Sequence, residues 1–213
     1  MKKIFLLLLF ILPICLSAQH KYGSVKFGLF TPSATDGGFI IGYEGGWNID
    51  DRFLFGWSAD WFHKNYVDAS LVKQYDEFYG NIHSQLNEIR ATTNLHSIPL
   101  MGTITGSWDV SPRVRAFASG SAGINVLLIF YRNYDSPDQS EFQAAFDFAW
   151  RLGGGLIYEL GERSDAILEL DYHNSQPSLT YDVKDSSTGR KKTFERKFDM
   201  SGMMLRVGFR FYF

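Results

Sequence analysis

The chain has 213 residues, of which 45% are hydrophobic and 16% aromatic, and its 21 basic residues are outnumbered by 23 acidic ones. This balance argues against a nucleic-acid partner. Mean hydropathy is slightly negative. After the first segment no apolar run approaches the ~20 residues that a membrane-spanning helix needs, so any membrane-facing surface has to be carried by alternation along strands.

Met1-Lys2-Lys3 is a short basic start, followed by an apolar run from Ile4 to Leu16 and the small residues Ser17-Ala18. That order predicts a secretory signal peptide over residues 1–18, cut after Ala18. Cys15 is the only cysteine, so cleavage there leaves no thiol and no disulfide. Removal of Lys2 and Lys3 lowers the basic count from 21 to 19 against 23 acids, a formal charge of −4.

Residues 19–213 read as one domain of eight strands. They are expected near 22–30, 39–47, 53–62, 95–108, 114–131, 142–160, 166–181 and 194–213. The turns at 48–52, 109–113 and 161–164 are tight, and the intervening connections are longer, the largest running from Lys64 to Asn94. Tight turns on one side and long loops on the other are the pattern of a transmembrane β-barrel.

Strand side chains alternate between faces. In the last strand Leu205, Val207, Phe209, Phe211 and Phe213 share one face, while Arg206, Gly208, Arg210 and Tyr212 share the other. A greasy face meeting lipid and a polar face meeting a lumen account for this pattern. The same alternation puts Val25, Phe27 and Leu29 outside with Lys26 inside. Trp57 and Trp61 fall outside with Asp60 inside, and Phe148 and Trp150 outside with Asp147 and Arg151 inside. Trp47, Trp108 and Tyr158 stand near strand ends, where amphipathic rings suit a membrane interface. The expected fold is an all-β, eight-stranded, antiparallel, up-and-down transmembrane β-barrel.

Several segments resemble the outer membrane β-barrel domain family, a porin-like small barrel of Bacteroidetes type. They are Leu95-His-Ser-Ile-Pro-Leu100, Phe117-Ala-Ser-Gly-Ser-Ala-Gly-Ile124, Gly153-Gly-Gly-Leu-Ile-Tyr-Glu-Leu160, Leu168-Glu-Leu-Asp-Tyr172 and the Val-Gly-Phe-Arg-Phe ending. The resemblance spans essentially the whole of 19–213. It implies a Gram-negative outer-membrane location and insertion by the barrel-assembly machinery through the last strand, with Phe209, Phe211 and Phe213 as the assembly signal. It carries no common catalytic residues and implies no cofactor.

The expected interior charges are Lys26, Arg115, Arg151, Arg206 and Arg210 against Glu44, Asp60, Glu169 and Asp171, with Asp147 and Glu159 also inward. Eight strands leave room for little beyond side chains, and buried charges need partners. A salt-bridged lumen is therefore expected, with Glu169 and Asp171 facing Arg206 and Arg210. The corresponding role is structural or one of surface interaction. A narrow porin-like channel for small solutes is the alternative.

An enzyme is not expected. The closest approach to one is His173-Asn-Ser175, with Glu195 as a possible acid. In its His-x-Ser spacing alone this is similar to the outer-membrane lipid A deacylases, which are hydrolases that pair a serine with a histidine and a glutamate. Here Ser175 is followed by Gln176-Pro177, and alternation points His173 and Ser175 into the barrel rather than toward lipid. The histidines lack metal-ligand spacing, so no metal is expected. The expected partners are outer-membrane lipids and lipopolysaccharide, whose phosphates the basic stretch Lys184–Lys197 could bridge, and a surface partner engaged through the aromatic-containing Lys64–Asn94 loop.

Overall fold

The computed structural model describes residues 21–50, 52–67, 92–132, 140–184 and 191–213. The signal-peptide segment and the centre of the Lys64–Asn94 loop lie outside the described residues.

Ten strands form in chain order: β1 (Lys21–Pro32), β2 (Gly38–Asn48), β3 (Phe53–Val67), β4 (Thr92–Ser111), β5 (Val114–Arg132), β6 (Ser140–Gly161), β7 (Ser164–Asn174), β8 (Ser178–Lys184), β9 (Lys191–Lys197) and β10 (Gly202–Tyr212). Eight of them close into a barrel in the order β1-β10-β7-β6-β5-β4-β3-β2, and β8 pairs only with β9. Every barrel pairing is antiparallel. Closure occurs between β1 and β10, where Lys21 and Phe213 exchange backbone hydrogen bonds at 2.9 and 3.0 Å. The pairing is then continuous around the wall.

The turn chemistry follows from local residues. The Asp50 carboxylate accepts the backbone N–H groups of Arg52 and Phe53 at 2.8 and 2.7 Å, which pins the β2–β3 turn. At the β4–β5 and β6–β7 turns the ladder shifts register by one residue, at Asp109/Ser111 and Glu159/Gly161.

The structure corrects two expected strands. The segments expected at 166–181 and 194–213 each break in two. The wall strands are β7 and β10, and the residues between them leave the wall as a separate β8–β9 hairpin. Pro177 has no N–H to give a ladder, so pairing with the wall stops at Asn174. The chain rejoins it at Gly202. Between those points Phe198 and Met200 donate backbone N–H groups to the carbonyls of Pro177 and Ser175, both at 2.9 Å. The 198–201 stretch is thereby folded across the mouth of the barrel.

The hydrophobic surface is on the outside. Leu29, Trp57, Ile104, Phe146, Phe148, Leu152 and Phe209 are all exposed, Phe146 to 68%. An apolar wall of this extent far exceeds what a soluble monomer shows; in a bilayer it is solvated by acyl chains. Among the described residues no helix is long and apolar enough to cross a membrane. Strands make the crossing.

Candidate functional site

The lumen is packed in layers. At the end carrying the tight turns, Phe117, Ile157 and Ile167 form a small buried cluster. At the opposite end a larger one gathers Phe30, Ile40, Phe62, Leu95, Leu127, Ile129 and Met204 from the wall, with Phe198 and Met200 from the folded-back segment. Phe30 meets the Phe62 ring edge-on, with centroids 5.1 Å apart. Burial of each such side chain contributes about 1.5–3 kcal/mol.

Between these clusters lies a charged layer. Lys26 contacts Glu44 and Glu169. Arg206 contacts Asp60 at 2.8 Å, Asp171 at 2.9 Å and Glu169 at 3.0 Å. Arg151 reaches Asp60 at 2.7 Å. Arg210 lies 3.7 Å from Glu44, donates from Nε to the Ser24 hydroxyl at 3.2 Å, and stands 4.8 Å over the Tyr22 ring. The Tyr22 hydroxyl donates to Glu44 at 2.9 Å. All eight charged side chains of this layer are buried. Lys26, Arg151, Arg206 and Arg210 balance Glu44, Asp60, Glu169 and Asp171 one for one, which offsets the cost of taking each out of water.

Two glycines make room for this layer. A Cβ on Gly42 would run into the Asp60 carboxylate, and one on Gly153 into that of Asp171.

Arg115 does not join the central layer. It lies nearer the tight turns, 3.1 Å from Asp165 and 3.3 Å from Glu159, and Tyr212 donates to the same Asp165 at 2.6 Å. Nor does Arg210 face Glu169 or Asp171, as the neighbouring strands suggested. The residue directly across from it is Asp165, and its side chain turns to Glu44 of β2 instead. Asp165 and Tyr22 were not singled out from the sequence; Asp165 follows the Ser164 turn, at a position where the inward alternation of β7 would have marked it. On the turn side the bore opens into a mouth of about 630 Å³ with Asp50, Asp109, Arg115 and Glu162 in its lining.

His173 and Ser175 both lie inside the barrel and are buried, but they form no catalytic pair. The Ser175 hydroxyl accepts from Asn125 Nδ2 at 3.1 Å and donates to Asp147 at 3.3 Å. Neither ring nitrogen of His173 has a hydrogen-bond partner; the ring meets Phe30 edge-on at 5.8 Å. Glu195 lies on the hairpin, where its register partner is Thr180. A nucleophilic serine needs a base within hydrogen-bond reach, and that arrangement is not assembled. Among the described residues no three His, Cys, Asp or Glu side chains converge as a metal cage.

A closed barrel with an apolar outer wall and a salt-bridged bore defines a transmembrane β-barrel. The chain has the fold of small outer-membrane β-barrel proteins. It is similar to the outer membrane protein OprG from Pseudomonas aeruginosa, with a TM-score of 0.60 and 12% identity over 92% of this chain and 96% of that one. It is likewise similar to a major outer membrane protein from Thermus thermophilus, with a TM-score of 0.59 and 12% identity over 92% of this chain and 100% of that one. For Neisserial surface protein A the TM-score is 0.53 at 12% identity, over 92% and 98% of the two chains. No protein-family model matches the sequence, and no curated protein does.

Proposed function

We propose that this chain is a non-enzymatic outer-membrane barrel of Bacteroidetes type with a structural or surface-interaction role. In this reading residues 1–18 export it and residues 19–213 form the barrel. The assembly machinery reads Phe209 and Phe211, on the outer face of β10, and Phe213 just after it, all three exposed. Outer-membrane lipid surrounds the wall. Lipopolysaccharide phosphates meet the basic β8–β9 hairpin, which carries Lys184, Lys191, Lys192, Arg196 and Lys197. A surface partner engages the Lys64–Asn94 loop.

The observation that carries this reading is the double closure of the bore. A balanced ionic layer fills its middle, and the Phe198–Met200 segment fills its loop-side mouth. Solute passage needs a continuous wet path, and eight strands enclose little more space than side chains fill. The test is single-channel recording of the refolded mature protein in a planar bilayer, with a heat-modifiable gel shift as the folding control. Folded protein without steady conductance is the expected result. Reproducible steps that change size in Arg210→Ala would overturn it in favour of the narrow channel.

A further inference from the structure

We propose that His63 and His96 form a two-imidazole chelate for a borderline divalent transition-metal ion, copper(II) foremost, on the outer rim of the barrel. The two residues are direct partners in the β3–β4 ladder. Directly opposed residues bring their Cβ atoms to about 4.5–5.5 Å, and here the imidazole centroids are 4.4 Å apart. The rings are stacked with 27° between their planes, and a turn of each about its Cβ–Cγ bond brings one nitrogen of each to a shared ion at the usual metal–nitrogen distance of about 2.0–2.1 Å.

One nitrogen of each ring can offer a lone pair once the ring turns. His63 Nδ1 has no hydrogen-bond partner. His96 Nδ1 accepts a hydrogen bond from Trp61 Nε1 at 3.2 Å, so it presents a lone pair. Trp61 lies nearly parallel to both rings at 6.1 Å, and Phe130 meets His96 edge-on at 5.5 Å. One step further along the same face, Asn65 opposes Asn94, and both are exposed; their amide oxygens are available as further donors.

The location gives access. His63 is ten residues past Phe53, the start of β3. That is roughly 25 Å up a tilted strand, at the upper limit of an apolar band about 25 Å tall. Imidazole suits copper, nickel and zinc, and copper(II) heads the affinity order. With only two imidazoles, the ion keeps positions open for water.

The experiment titrates copper(II) chloride into the refolded mature protein in detergent, in a His20→Ala background. That background removes the histidine next to the new amino terminus. We expect a single saturable site, an electron paramagnetic resonance spectrum split by two nitrogens, and quenched tryptophan emission as Trp61 surrenders its acceptor. His63→Ala and His96→Ala are each expected to weaken binding by at least about tenfold, with the heat-modifiable shift retained; His96→Gln repeats the test without a cavity. Absence of saturable uptake, or uptake unchanged in the double variant, would overturn the proposal.

Discussion

Arg206 and Asp60 are 146 positions apart in the chain and meet at 2.8 Å inside the barrel, tying β10 to β3 across the bore. Asp60 also receives Arg151 from β6 at 2.7 Å. One carboxylate therefore holds two guanidinium groups from different sectors of the wall. Its removal takes from Arg151 its Asp60 contact and from Arg206 one of three carboxylate contacts, inside a buried layer. Asp60→Ala is expected to cost about 3–5 kcal/mol, read as a lower urea midpoint of the folded band in lipid vesicles. A midpoint equal to that of the parent protein would show that the ionic layer is not a structural tie.

The glycines beside the carboxylates make a sharper test of packing. Gly42→Ala and Gly153→Ala force a methyl group against Asp60 and Asp171, and overpacking of this kind costs about 1–3 kcal/mol. Gly102 is the control. It faces outward, and its nearest neighbour to an added Cβ is the Ala122 carbonyl oxygen at 3.8 Å. Thermal melting of the three variants should separate the first two from the third.

The mouth segment and the ionic layer close the bore independently. Met200→Ala opens space within the loop-side cluster and is expected to cost about 2–5 kcal/mol. It should produce no steady conductance, because the charged layer below is untouched. Open-channel steps in this variant would assign the whole seal to the mouth.

His173 supplies a test of the opposite sign. Its ring is wholly buried with both nitrogens unpartnered, and an unpartnered buried polar group is a cost. His173→Leu should match the parent or exceed its stability by about 1 kcal/mol. The lipid A mass spectrum of cells carrying it should equal that of cells carrying the parent. A changed lipid A profile would restore the hydrolase reading.

Alternation made the fold legible, because in a barrel the parity of a residue decides between lipid and lumen. Lys26, Glu44, Asp60, Arg151, Glu169, Asp171, Arg206 and Arg210 are placed inward by parity alone. Parity carries no information about depth or about which side chains meet across the bore. Strand tilt and stagger set those, so Arg210 reaches Glu44 and Arg115 falls outside the central layer. The rule of polar inside also hid the apolar mouth. Phe30, Phe62, Leu127 and Met204 are inward residues of the type expected outward. Phe198 and Met200 sit in a stretch that reads as ordinary strand, and only the break at Pro177 hints otherwise.

The wall strands differ in length. β4, β5 and β6 have 20, 19 and 22 residues, whereas β2, β7 and β10 have 11 each. At about 3.3 Å per residue and the usual tilt, the longer strands stand roughly 20 Å above the shorter ones. On the loop side β6 runs ten residues, 140–149, beyond its last pair with β7, Trp150 opposite Asn174. The rim is therefore slanted like a quill cut at an angle. Its high side ends at Arg132 and Ser140, and its low side is where β1 meets β2.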